Sequence, residues 1–162
     1  MKKTKQSGFS LIELLIVVAI ILIIAAIAIP NLMASRMVAN ESSAAQQSRN
    51  ITTAEVVYTT QYNIGFAATL MSLGDSGGCG AGSVSSTNAC LIDSVVASGT
   101  KGGYNFTYTP SNPDGATHYQ SFSVNANPVS PGYSGRRYFY TDQTAVIRAN
   151  SMAIASASDP AI

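Results

Sequence analysis

Between Leu14 and Ile29 the chain carries no polar side chain, and Pro30 closes the run. A helix that is apolar all round has no face to give to water, so it belongs inside protein or lipid. Counted from Phe9, the run is 21 residues long. As a helix it would span about 31 Å, the thickness of one bilayer core. Ile and Val are middling helix formers in water. Lipid compels the helix anyway, because every backbone N–H and C=O must then be paired within the segment. Lys2, Lys3 and Lys5 precede the run. By the positive-inside tendency they stay cytoplasmic, and the chain beyond the run is exported. A cleaved secretory signal has its small-residue cleavage site after the apolar run. Here the candidate cut, at Gly8, comes before it, so the run is expected to stay on the mature protein.

Glu13 breaks the pattern. A carboxylate at membrane depth is costly unless it finds a partner, and such residues are functional by default. Cutting after Gly8 would give Phe9 a positive α-amine. Residues 9 and 13 stand i and i+4, on one helix face. The start of a helix also favours a carboxylate. Glu13 is therefore expected to neutralise its own N-terminus or that of a neighbouring chain.

The stretch Lys2-Lys3, Gly8-Phe9-Ser10-Leu11-Ile12-Glu13-Leu14-Leu15 and Ile29-Pro30-Asn31 resembles the signature of type IV pilins and of the type II secretion pseudopilins. The resemblance covers about residues 1–33. It implies a cleaved leader over 1–8, with a prepilin peptidase cutting between Gly8 and Phe9 and methylating the Phe9 amine. It implies a transmembrane and filament-core helix over 9–30. It also implies that Glu13 pairs with the N-terminus of an adjacent subunit during helical assembly. The short leader is that of type IVa pilins and pseudopilins. Pro30 lacks an N–H, which leaves the Ala26 carbonyl unpaired. In filaments of the family the helix is often unwound just before this proline, so 25–30 is expected to act as an extensible joint.

Beyond Pro30, residues 31–62 contain no Gly or Pro. Leu32, Met33, Met37, Ala44, Ile51, Ala54, Tyr58 and Tyr62 recur at roughly helical spacing. Arg36, Asn40, Glu41, Gln47 and Arg49 are read as falling mostly elsewhere. The pattern predicts one helix from Phe9 to about Tyr62, with Gly65 as its stop. Its second half, with residues 31–162 as a whole, is expected to form the exported head. Residues 66–102 read as loop, with a helical turn at Leu91–Ala97. From Tyr104 the period changes to two, and four short antiparallel strands are expected around 104–109, 122–126, 136–141 and 144–149. The fold class is α+β: a pilin fold, a long helix packed on a four-stranded antiparallel sheet. The Ser/Ala-rich tail after Asn150 reads as surface or frayed.

Charge and cysteine usage narrow the function. Only 10% of the 162 residues are charged. After a cut at Gly8, six basic and eight acidic side chains remain, a balance of −2. No basic face is left for nucleic acid. Cys79 and Cys90 are close, and with an export signal ahead of them a disulfide is expected.

Other motifs weigh less. Gly74-Asp75-Ser76-Gly77-Gly78 matches the nucleophile motif of trypsin-like serine proteases, but such an enzyme needs a histidine ahead of its serine. The single histidine, His118, lies downstream. No catalytic residue, metal ligand or cofactor is assigned. Calcium at Asp114 and Asp142 would need more oxygens than the sequence offers there. Asn40, Asn50 and Asn105 fit the glycosylation pattern without a setting that favours it.

The expected function is structural, not enzymatic. The chain reads as a type IV pilus subunit, a membrane precursor with a periplasmic head that then forms a homo-oligomeric extracellular filament for motility, adhesion or DNA uptake. By resemblance its partners are the inner membrane, the prepilin peptidase and methyltransferase, an assembly platform with its ATPases, and a secretin. Two rivals remain: a pseudopilin in a periplasmic pseudopilus, and an anchored binding domain or enzyme that never polymerises.

Overall fold

The computed structural model describes residues 8–75, 79, 84–114 and 118–162. Two compact units emerge, Met1–Arg36 and Met37–Ile162, and helix α1 (Leu11–Tyr62) contributes to both. From Leu14 to Ile29 the helix is apolar on every side, and all of that stretch but half-buried Ala25 is exposed, with Ile29 at 58% of full exposure. Pro30 lies inside the helix, which is continuous over 25–30.

In the second unit α1 has a buried face. Glu41, Ala44, Ser48, Ile51, Thr52, Ala54, Glu55 and Tyr58 are buried. The steps from 41 to 44, 48, 51, 55 and 58 alternate between three and four, the period of one helix stripe. Glu41 thus sits on the stripe, not away from it as its polarity suggests. Its carboxylate accepts from the Arg136 N–H (2.8 Å), the Arg137 N–H (3.2 Å) and Arg137 Nε (2.8 Å). Burial pushes its pKa up, but the three donors prevail and hold it below the ordinary value. Ser48 and Thr52 return their hydroxyls to carbonyls of the preceding turn, which lets them face the core.

The helix ends at Tyr62 because Asn63 turns left-handed, at φ 53°. Asparagine tolerates that region better than most residues. Gly65, the expected stop, has a different task. Its φ is +75°, and the Phe66 N–H reaches the Tyr119 carbonyl at 2.8 Å. Short helices α2 (Leu70–Leu73) and α3 (Ser94–Ala97) come next. Thr69 caps the first and Asp93 the second. Residues 89–92 return to pair with 72–74, and the Tyr58 hydroxyl donates to the Ser86 carbonyl at 2.8 Å.

The sheet has five strands, not four: β1 (Thr100–Lys101), β2 (Tyr104–Pro113), β3 (Tyr119–Pro128), β4 (Tyr138–Asp142) and β5 (Arg148–Asn150). Neighbours in sequence are neighbours in the sheet, and all pairs are antiparallel. The two-residue β1 carries too little alternation to be read from sequence. β2 and β3 run on through Pro110 and Pro113, because β2 is an edge strand there and its prolines cost no ladder bond. Tyr104 and Phe106, Phe122, Val124 and Ala126, Phe139 and Thr141, and Ala149 form the buried face. They join Ala44, Ile51, Ala54 and Tyr58 of α1 in one core. Phe122 lies edge-on to Phe66 (4.8 Å between centroids) and stacked on Tyr108 (5.8 Å).

The tail lies on the surface, but it is not frayed. The Ala149 N–H donates to the Pro160 carbonyl (3.1 Å) and the Ile162 N–H to the Ile147 carbonyl (3.0 Å), which covers the β5 edge. Arg148 Nη1 donates to the Asp159 carbonyl (2.7 Å), and Ala155 is buried. Hydrogen bonds, not apolar content, hold this segment.

Candidate functional site

The N-terminal segment gathers the residues that the sequence marks. Gly8, Phe9 and Ser10 lie ahead of the helix without regular structure, and all three are exposed. Phe9 is 84% exposed. The Gly8–Phe9 bond is therefore open to an enzyme without unwinding α1. The Glu13 carboxylate turns back onto this stretch and accepts from the Ser10 N–H at 2.8 Å. Ser10 stands at the N-cap and Glu13 at the third helical position, so the contact is one half of a capping box. Sequence reasoning missed this, although Ser10-Leu11-Ile12-Glu13 spells it. Capping answers part of the cost of Glu13: the carboxylate satisfies a donor that the helix cannot pair internally. It also holds the carboxylate one residue from the Phe9 nitrogen, where a cut would create the α-amine.

The other candidates do not converge on this segment or on one another. Cys79 and Cys90 are joined in a disulfide, with Cα atoms 5.8 Å apart. The Asp75 carboxylate lies with both sulfurs inside 4.8 Å. A disulfide offers no thiolate, so this trio is not a zinc-type site. Ser76, the candidate protease nucleophile, and the glycines after it lie outside the described residues. His118 Nδ1 faces Asp114 Oδ1 at 3.3 Å, with both side chains reaching water. Asp142 sits across the sheet, opposite Ser123. Its Oδ1 accepts from the Thr144 N–H (2.9 Å) and hydroxyl (2.6 Å), and Tyr140 donates to Oδ2 (3.3 Å). Asp114 and Asp142 are thus held apart, each by its own protein donors.

The buried carboxylate of Glu55 is the least expected group. Its Oε2 accepts from the Ala67 N–H at 3.0 Å, while Oε1 makes no hydrogen bond among the described residues. The Tyr108 hydroxyl beside it donates to the Ala67 carbonyl at 2.7 Å. Burial pushes the Glu55 pKa up, against the pull of Tyr108 and Ala67. Its place is in the head's core, fully buried.

Residues 3–29 match the model of the prokaryotic N-terminal methylation motif. Over 35 residues the chain is 66% identical to the type IV wide pilus major component PilA4 of Thermus thermophilus. That stretch is 22% of this chain and 27% of the relative. No solved structure matches the chain. The matched N-terminus, similar to that of a type IV pilus component, stands at the head of an apolar helix that leads into an antiparallel sheet.

Proposed function

We propose that the chain is the structural subunit of an extracellular type IV pilus, used for adhesion, motility or DNA uptake. One observation carries the reading. No residue in the span-length apolar part of α1 is buried within the chain. Exposed apolar surface on that scale requires a partner outside the molecule. Lipid fills that role for the precursor, and the same helices of other subunits fill it in a filament. A prepilin peptidase cuts at Gly8–Phe9 and methylates the new amine. Glu13, now bonded to Ser10, then exchanges that donor for the amine of a neighbouring subunit. Pro30 provides the weak point at which α1 extends as the helices pack. An inner-membrane platform, its ATPases and a secretin complete the route, and no cofactor takes part. The match to a protein named as a pilus major component favours a pilus over a pseudopilus.

The test is Glu13→Leu, read by filament yield and by membrane fractionation. The variant is expected to stay in the membrane and to lose incorporation into filaments. A wild-type filament yield would sink the mechanism.

A further inference from the structure

The loop between β3 and β4 presents side chains to water that water does not favour. It is tightly built: the Tyr133 N–H (3.0 Å) and the Ser134 N–H (2.9 Å) both donate to the Ser130 carbonyl, and the Gly132 N–H donates to the Gly135 carbonyl (2.8 Å). Tyr133 is nevertheless 72% exposed and Val129 51%. The other seven tyrosines are all buried or half-buried, so Tyr133 is the exception that needs a reason. A loop fixed by its own backbone bonds could have carried a polar residue there at no structural cost.

The loop's place in the head supplies the reason. Asn40 Nδ2 donates to the Ser134 carbonyl at 2.9 Å, and Glu41 holds the Arg136 and Arg137 N–H groups. The loop is therefore fastened to α1 at Asn40, ten residues after Pro30. Ten residues span about 15 Å as helix and at most about 36 Å in any conformation. Chain length therefore keeps this loop, together with the Gly103 turn that also meets Asn40, within that reach of the end of the apolar run. The loop's charge points the same way. Residues 128–137 hold two arginines and no carboxylate. Arg137 is paired with Glu41, while the exposed Arg136 is in no salt bridge among the described residues.

We propose that, in the membrane-inserted subunit, this loop rests on the lipid surface. Tyr133 lies in the headgroup layer with Val129 beside it, and Arg136 meets the phosphates. Tyrosine favours that layer because its ring is apolar and its hydroxyl is not. A guanidinium matches phosphate oxygens. The contact steadies the head before assembly and is given up when the subunit leaves the bilayer. The proposal rests on the reading of the apolar run as a membrane span.

The chain has no tryptophan, so single-tryptophan variants of the whole chain report one site each. Tyr133→Trp, Leu22→Trp in the apolar run and Val56→Trp on the exposed side of α1 are reconstituted one chain per nanodisc. The lipid is phosphatidylcholine with phosphatidylglycerol, and the acyl chains are brominated near the headgroup or near the bilayer centre. Deep bromines should quench Leu22→Trp. Shallow bromines should remove most of the Tyr133→Trp emission and leave Val56→Trp unchanged. If Leu22→Trp is quenched while Tyr133→Trp behaves like Val56→Trp, the loop proposal is overturned and the span stands. If Leu22→Trp itself is not quenched, the span reading fails and takes the proposal with it. A Tyr133→Trp blue shift that needs several chains per disc would assign the loop to protein contact and also overturn the proposal.

Discussion

Residues 11–29 and residues 41–58 lie on one helix, and their burial runs opposite to their polarity. The first stretch is almost wholly Leu, Ile, Val and Ala, and it is exposed. The second carries two carboxylates, a serine and a threonine on its inward stripe, and that stripe is buried. Burial follows the partner available within the chain, not hydropathy. The second stretch has a sheet to meet, with Tyr104, Phe106, Val124 and Phe139 on its inner face. The first stretch awaits a partner from outside. Its composition is suited to lipid or to copies of itself, whereas the polar residues of the second are tolerated because specific donors meet them.

Equal truncations in the two regions should then have unequal effects. Phe139→Ala, at a fully buried site, is expected to destabilise the head by about 3–5 kcal/mol. Leu22→Ala should shift head unfolding by less than about 0.5 kcal/mol, because its partner is not part of the head. Thermal unfolding of the full chain in detergent, tracked by near-ultraviolet circular dichroism, measures both. A large shift from Leu22→Ala would erase the contrast. Next in size comes the bridge. Replacing Cys79 and Cys90 together by serine reopens a short loop and should cost the head about 2–3 kcal/mol in the chain-entropy picture. Insertion into membranes should not change.

Much of the first region is legible in the sequence, because it obeys one rule over a long window: span-length, unbroken hydropathy. The processing motif, Glu13 and Pro30 are visible against that background. The capping contact of Glu13 with Ser10 is spelled by Ser-x-x-Glu, but a carboxylate in an apolar run stands out first as a lipid anomaly. In the head, period-two alternation locates β2 and β3, and the aromatic run at 138–140 locates β4. The inward stripe of α1 is harder to see. Four of its members, Glu41, Ser48, Thr52 and Glu55, are residues that a hydrophobic pattern treats as surface. Glu41 and Glu55 are met inside by donors beyond the helix, Arg136 and Arg137 for the first and the Ala67 N–H for the second. Ser48 and Thr52 donate to carbonyls of their own helix, and a hydrophobic pattern weighs neither kind of partner. The tail escapes a sequence reading in a similar way: beside its own Ser156–Asp159 bonds, it is held by Asn125, Ile147, Arg148 and Ala149, which lie outside it.

The two buried carboxylates sharpen the comparison through pH. Glu41 has a lowered pKa, so the folded head releases its proton more readily than the unfolded chain does. Its stabilisation is complete above the ordinary value of 4.5 and is lost as pH falls through the lowered one. Glu55 has a raised pKa, so the folded head keeps a proton that the unfolded chain has released. Stability from this group is full below 4.5 and falls as pH rises through the raised value. Glu41→Gln should lower stability by about 1–3 kcal/mol near neutral pH, as expected for losing hydrogen bonds to a charged acceptor. It should also flatten the acid limb. Glu55→Gln keeps an acceptor for the Ala67 N–H and should flatten the opposite limb, with a smaller effect on the maximum. Denaturant titrations across pH read both slopes. An unchanged alkaline limb in Glu55→Gln would show that Glu55 titrates normally. Neither substitution should alter the assembly proposed for Glu13, since both groups lie in the head.

The central claim is that the exposed apolar helix exchanges lipid for its own kind once the chain is cut at Gly8. Mass spectrometry of filaments sheared from cells, imaged in the same fraction by electron microscopy, addresses it directly. The account predicts that the chain is found in those filaments and begins at N-methyl-Phe9. A chain that keeps Met1 and is absent from the filament fraction would contradict it.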